Sequence, residues 1–225
     1  MILLLFGPPG CGKGTQAVSL AKRFHIPAIS TGELFREEIK AGTELGKTVG
    51  AIICKGGFVS DELVNEIVAS RTSRPDCADG FLLDGYPRTV PQARVFGALV
   101  NQRGLLDPIV IHLDVSDDAL VSRLAARRQC PQCHRIYNLL SQPPKSPGIC
   151  DDDRARLLTR DDDCEAVIRR RLAVYKELTD PILQWYGKSV VRTVNGDQAP
   201  ERVRWAIEVE VLNALHAVGD CTAAF

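Results

Sequence analysis

The sequence has no excess of charge. Its 28 basic residues are matched by 28 acidic ones, which argues against a strongly basic nucleic-acid surface, although local patches stay open. It also has no apolar run long enough to cross a bilayer. The opening "MILLLF" is apolar, but no basic stretch precedes it and it runs straight into glycine. It reads as a buried strand rather than a leader or an anchor. A cytosolic protein with no nucleic-acid or membrane partner is expected. No internal repeat is found: "DDD" occurs at 151–153 and 161–163, but its surroundings do not recur. Cysteine, at 8 residues in 225, is too sparse for a disulfide scaffold. Where cysteines are closely spaced in a reducing compartment, a metal site is the better reading.

What is present is ordinary for a globular chain: 45% hydrophobic and 25% charged residues, enough for a sizeable core in one domain or two. Short apolar runs at Ile2–Phe6, Phe81–Leu83, Ile109–Leu113 and Val190–Val194, with a weaker one at Pro27–Ser30, read as buried strands. Segments with helical character lie between them, at Lys13–Phe24, Asp61–Arg71, Pro91–Val100 and Asp117–Arg128. This alternation predicts an α/β fold, a parallel sheet with helices on both faces. Ser116, followed by Asp117 and Asp118, is a candidate helix cap. Two stretches break the pattern. Residues 30–59 read as mostly helical, and residues 127–163 are too rich in proline and glycine for a long helix. Both are expected to be insertions into the core.

Four features carry chemistry. The first is "GPPGCGKGTQ", set between a strand and a helix as a phosphate loop should be. Its glycines let successive N–H groups face phosphate oxygens, and the helix N-terminus adds positive charge. Lys13 can reach the β- and γ-phosphates. The usual hydroxyl after the lysine is replaced by Gly14, so Thr15 is the candidate near Mg²⁺. The second is "FLLDGYPRT". Asp84 ends a strand at the edge where ligands bind in open α/β sheets, and a carboxylate there can hold Mg²⁺ through water. Arg88, just beyond, can grip a phosphoryl group. The third is a scatter of arginines, Arg36, Arg88, Arg123, Arg127, Arg160 and Arg171, which could neutralise transferring phosphate while flaps exclude water. The fourth is Cys130-x-x-Cys133 followed by Cys150-x-x-Asp153, the spacing of a structural Zn²⁺ site. Cys11, Cys54, Cys77, Cys164 and Cys221 lack such spacing and are expected to be small, partly buried residues.

These motifs, with "ISTGELFR", "KGGFVSDELV" and "TRDDD…RRRL", resemble the bacterial adenylate kinases of the long-lid type with a zinc-binding lid, over nearly the whole chain. The resemblance implies a phosphate-loop core of residues 1–29, 60–126 and 164–225, a monophosphate-binding flap at 30–59 and a lid at 127–163. It implies Mg-dependent, reversible, in-line transfer of the terminal phosphoryl group of ATP to AMP, giving two ADP with no covalent intermediate, by a monomer. For AMP it implies Thr31, Arg36, Gly57, Phe58, Val59, Gly85, Tyr86, Pro87, Arg88, Arg160, Arg171 and Gln92, the last as an adenine reader. For the ATP phosphates it implies Gly10, Cys11, Gly12, Lys13, Gly14 and Thr15. Arg123 would stack on the ATP adenine, Arg127 would meet ATP phosphates as the lid closes, Ile136 and Tyr137 would line the ATP side, and Gln198 would meet the adenine through its backbone. Arg160 and Arg171 would clamp the transferring phosphates, with Asp162 and Asp163 ordering the arginines. Catalysis would rest on Lys13, Asp84, Arg88, Arg123, Arg127, Arg160 and Arg171. Departures are Asn138 in place of a histidine, Cys11 in place of alanine, and Gly-Gly-Phe at the AMP turn. The tail "GDCTAAF" extends past the resemblance and is expected to fray. The rival readings are a kinase for another nucleoside monophosphate, a phosphate-loop regulator without a second substrate, and a zinc-ribbon nucleic-acid module.

Overall fold

The computed structural model describes residues 1–53 and 59–222, the side chains of 161 and 218–222 excepted. Five parallel strands form the core sheet in the order β2 (Ala28–Ser30), β3 (Phe81–Asp84), β1 (Ile2–Phe6), β4 (Ile109–Asp114), β7 (Val191–Asn195). The central strand β1, "ILLLF", is buried at every position, as a parallel strand covered on both faces must be. Strand periodicity splits its side chains between two cores. Leu3 and Leu5 join one cluster with α1 (Lys13–Phe24), α6 (Asp117–Ala125), α7 (Glu165–Val174) and α9 (Pro200–Thr222). Ile2, Leu4 and Phe6 join the other, with α2 (Thr31–Ala41), α3 (Glu44–Ile53), α4 (Asp61–Thr72), α5 (Val90–Gln102) and α8 (Asp180–Tyr186).

The sheet register positions the chemistry. β1 pairs with β3 on one side and β4 on the other, matching Leu5 with Asp84 and Phe6 with His112. The loop leaving Phe6 therefore rises beside Asp84, where strand order reverses and open sheets bind ligands. Gly7 begins that loop at φ 146°, and a Cβ there would sit 2.9 Å from the Leu113 carbonyl oxygen, so no larger residue fits.

Residues 30–59 contain α2 and α3 packed as a helical pair. Residues 127–163 hold an antiparallel pair, β5 (Arg127–Gln129) with β6 (Ile136–Asn138). Here the structure corrects the sequence reading: the helix expected to reach Arg128 stops at Ala125, because Arg127, Arg128 and Gln129 pair across with Asn138, Tyr137 and Ile136. Ser116 precedes α6 but its hydroxyl makes no cap; its backbone N–H instead donates to Asp197 Oδ2 at 3.0 Å. Among the uncoupled cysteines, Cys11 and Cys77 are buried and Cys164 is exposed, against expectation. Cys54 and the side chain of Cys221 lie outside the described residues, as does the end of the tail.

Candidate active site

The C-terminal edge of the sheet opens into a cleft of about 1480 Å³. One wall is the glycine loop and the start of α1. Gly12 caps that helix in a left-handed conformation and offers no side chain to its N–H groups, so they stay available to an anion. Lys13 reaches back over the loop and donates to the carbonyls of Gly7 at 2.6 Å and Pro8 at 3.1 Å. Burial pushes the Cys11 thiol up, which leaves a neutral, small group packed under the loop. Gly14 sits between the acidic strand end and the lid hairpin. A Cβ there would lie 3.6 Å from both Asp84 Oδ2 and Ile136 Cδ1. That is ordinary contact distance, so space alone does not require glycine here. The hydroxyl stands one residue later, at Thr15, which also lines the cleft.

The opposite wall comes from α2, the β3–α5 loop and α5. Thr31, Arg36, Val59, Gly85, Pro87 and Gln92 face the same cleft. Thr31 donates to the Gly85 carbonyl at 3.0 Å, joining α2 to the loop after β3. Gly57 and Phe58 lie outside the described residues. Tyr86 stands apart from the wall. Only 2% exposed, it packs edge-on against Phe96 and donates to Asn65 Oδ1 at 2.7 Å, and burial raises its pKa. Its side chain belongs to the core.

Arginines occupy the middle. Arg88, Arg123, Arg127, Arg160 and Arg171 all reach the cleft. The protein packed around Arg88, which keeps an exposed face, and then the neighbouring Arg171 pull its pKa down to about 10. Burial, followed by Arg127 and Arg36, pulls Arg160 down to about 9. Burial also lowers Arg171. Like charges gathered in a shielded place favour an anion among them. Carboxylates hold the cluster in shape. Arg127 grips Asp163 with two donors, one at 2.8 Å. Arg171 pairs with Asp162 at 2.7 Å and Asp163 at 3.5 Å. Burial raises Asp162, but the charges of Arg171, Arg127, Arg160 and Arg36 outweigh it and its pKa falls.

Two residues the sequence reading missed are central here. Glu33 on α2 pairs with Arg36 on its own helix and with Arg160 at 3.2 Å, and accepts from Gln129 at 3.5 Å. Gln129 in turn accepts from Arg160 at 2.6 Å. Glu33 thus joins α2 directly to residues 127–163. The Glu33–Arg36 pair was visible as an i, i+3 contact; its distant partners were not. Asn138 also has a structural answer: its Oδ1 accepts from Leu140 and Ser141 N–H groups and its Nδ2 donates to the Arg123 carbonyl at 3.0 Å. Ile136 and Gln198 line the glycine-loop side. Tyr137 reaches the cleft but is 3% exposed, its hydroxyl held by the Asp151 N–H at 2.8 Å.

Away from the arginines, Cys130, Cys133, Cys150 and Asp153 bring one ligand atom each within 4.8 Å of one another. A tetrahedral ion with bonds of about 2.3 Å needs sulfurs about 3.8 Å apart, and Cys133 and Cys150 Sγ are separated by 3.5 Å. The residue after the second ligand of each pair, His134 and Arg154, turns at φ 60° and 63°, so two turns of like shape face each other. Backbone N–H groups of Cys133 and Ala155 donate to Asp153 at 3.1 and 2.9 Å. The other acids of the triplet turn elsewhere, Asp152 to Arg135 at 2.6 Å and Asp151 to the Lys145 N–H at 2.9 Å. Among the described residues the local core is Cys130, Tyr137, Cys150 and Leu157, with Ala155 packed against them, too few to fold such a segment by burial alone. The cluster fits a structural ion such as zinc.

Comparison with known proteins accords with this geometry. Residues 5–191 match the adenylate kinase family. The chain is 46% identical over 204 residues to an adenylate kinase of Anaeromyxobacter sp. (strain Fw109-5), covering 90% of this chain and 95% of that one. It is 47% identical over 199 residues to one from Oceanobacillus iheyensis, with 88% and 93% covered. A third, from Pseudothermotoga lettingae, is 44% identical over 199 residues, with 88% and 92% covered. With a glycine loop, an acidic strand end and a cradle of arginines in one cleft, a Cys₃Asp cluster beside it and this likeness over most of its length, this chain belongs to the adenylate kinase family.

Proposed function

We propose that the two walls of the cleft divide the substrates of the adenylate kinase reaction, ATP + AMP ⇌ 2 ADP, which the chain catalyses as a phosphotransferase of its family. The observation that carries the division is the single cleft in which the glycine loop faces Thr31, Arg36 and Gln92 across the arginine cluster. ATP lies on the loop side. Gly10–Thr15 surround its phosphates, Arg127 meets them from the lid, and Arg123, Ile136, Tyr137 and Gln198 border its adenine side. AMP lies opposite, with Thr31, Arg36, Val59, Gly85, Pro87, Arg88 and Gln92 around it.

The chain's own residues do three things to the reaction. Lys13 leaves the loop carbonyls for the phosphates, where its charge counts more. Arg88, Arg160 and Arg171 neutralise the equatorial oxygens of the group in transit, and their convergence on one cleft preorganises that contact. Closure of residues 30–59 and 127–163 over a core of 1–29, 60–126 and 164–225 excludes water, so AMP rather than water receives the phosphoryl group. Thr15 and Asp84 supply the oxygen donors that suit Mg²⁺; bound with ATP, that ion would neutralise phosphate charge. Zinc at Cys130, Cys133, Cys150 and Asp153 would hold the lid folded, with no part in transfer. No helix among the described residues is long and apolar enough to cross a membrane.

The test is a coupled assay with ATP, Mg²⁺ and each nucleoside monophosphate in turn. AMP should give the highest kcat/KM by a wide margin. A higher value with CMP, UMP or GMP would contradict the assignment.

A further inference from the structure

Gln92 is 1% exposed and sits in a closed hydrogen-bond system. Its Oε1 accepts from the Arg88 backbone N–H at 2.7 Å. Its Nε2 donates to Asp61 Oδ1 at 2.7 Å. The other carboxylate oxygen, Oδ2, accepts from the Thr89 hydroxyl at 2.7 Å. Thr89 caps α5, its oxygen accepting in turn from the Gln92 N–H at 3.2 Å. Asp61 opens α4, so the system ties the starts of two helices together.

A carboxylate only accepts, and a backbone N–H only donates. Turned the other way, the Gln92 amide would point its NH₂ at the Arg88 N–H and its oxygen at the Asp61 carboxylate. Both contacts would be repulsive inside a buried site, where an unmade bond is costly. The amide therefore has one orientation. After these bonds it retains one N–H and one lone pair, and Gln92 lines the cleft. Adenine offers the matching pair, a donor at N6 beside an acceptor at N1 or N7. A 6-oxo purine offers an acceptor at O6 beside an N1–H donor or the N7 acceptor, which this orientation mismatches.

We propose that Asp61 is a positioning residue for base selection: by fixing the orientation of the Gln92 amide it makes the acceptor site choose a 6-amino over a 6-oxo purine. This rests on the reading above that Gln92 faces the AMP base. Asp61 touches no reacting atom; it acts through Gln92, with Thr89 holding its second oxygen.

The experiment measures kcat/KM for AMP and for inosine monophosphate, at saturating Mg·ATP, on wild type, Asp61→Asn, Asp61→Ala, Thr89→Val and Gln92→Ala. Both monophosphates are assayed on the same preparation, so loss of folded protein cancels in their ratio. The AMP-to-inosine-monophosphate ratio should fall about tenfold or more in the Asp61 variants, the discrimination of one bidentate amide–base pair, and by a smaller factor in Thr89→Val. KM for AMP should rise while KM for ATP holds. If Gln92→Ala lowers the ratio and the Asp61 variants leave it at the wild-type value, the positioning role is wrong and the Gln92 reading stands. If Gln92→Ala itself leaves the ratio unchanged, that reading fails and takes the proposal with it.

Discussion

At the scale of single residues, charge placement decides most of the outcome. Lys13 is held by two carbonyls of its own loop, so its loss should cost transfer and little stability. Lys13→Ala should reduce kcat by about 10²–10³, the usual effect of deleting one preorganised positive contact. Its Tm should stay near wild type; a steady-state assay paired with thermal melting checks both. Asp162 makes a prediction about pH. Its folded pKa lies below the ordinary carboxylate value because four arginines, Arg171, Arg127, Arg160 and Arg36, outweigh its burial. A depressed carboxylate stabilises the fold above its unfolded pKa, about 3.9, and loses that contribution as pH falls through the lower folded value. Denaturation of wild type and Asp162→Asn should therefore differ most above about pH 4 and converge below it. A difference that grows in acid would contradict the pairing. These two groups also show what a sequence can disclose about a site. Lys13 and the Cys₃Asp set are local patterns with fixed spacing, and the cleft or the cluster holds each of them. Glu33 and Asp61 are single carboxylates with partners up to 127 residues away, and local spacing shows only the Glu33–Arg36 pair among their contacts. Tyr86 sits inside the motif, but the T-shaped contact with Phe96 turns it into the core.

At the scale of elements, the split is between segments whose period is local and segments that depend on a partner. β1 and α1 have the ends that their apolar run and helical pattern suggest, because complete burial and a glycine cap fix them. The end of α6 was misread because Arg127–Gln129 pairs with Ile136–Asn138, a contact that helix periodicity cannot announce. Leu4 is fully buried in β1, so Leu4→Ala should destabilise by about 3 kcal/mol, readable as a shift in the denaturation midpoint. The lid element has a ligand cluster where the others have a large core. Its core is four residues around the ligand cluster, so protein purified without chelator should carry about one zinc per chain. Cys150→Ser should lose the ion and lower the Tm by several degrees, since a shift of 2–4 °C accompanies each kcal/mol in a chain of about this size. Metal analysis that finds no bound ion would remove the basis for this.

At the scale of the whole molecule, the fold works as a sheet edge with two attachments that meet over it. Glu33 on α2 bonds to Arg160 and Gln129, so the attachments touch each other as well as the core. Glu33→Gln keeps the side chain's shape but removes its charge. It should raise KM for both nucleotides several-fold while changing stability by less than about 1 kcal/mol, the range for partly exposed ion pairs. Steady-state kinetics with thermal melting separates the two effects. The central claim concerns both walls at once: ATP and AMP occupy one cleft together, and the phosphoryl group passes directly between them. The most direct measurement is the initial rate of ADP formation over a grid of ATP and AMP concentrations. Double-reciprocal lines should intersect, as a ternary complex requires. Parallel lines, the pattern of a covalent enzyme intermediate, would contradict the account.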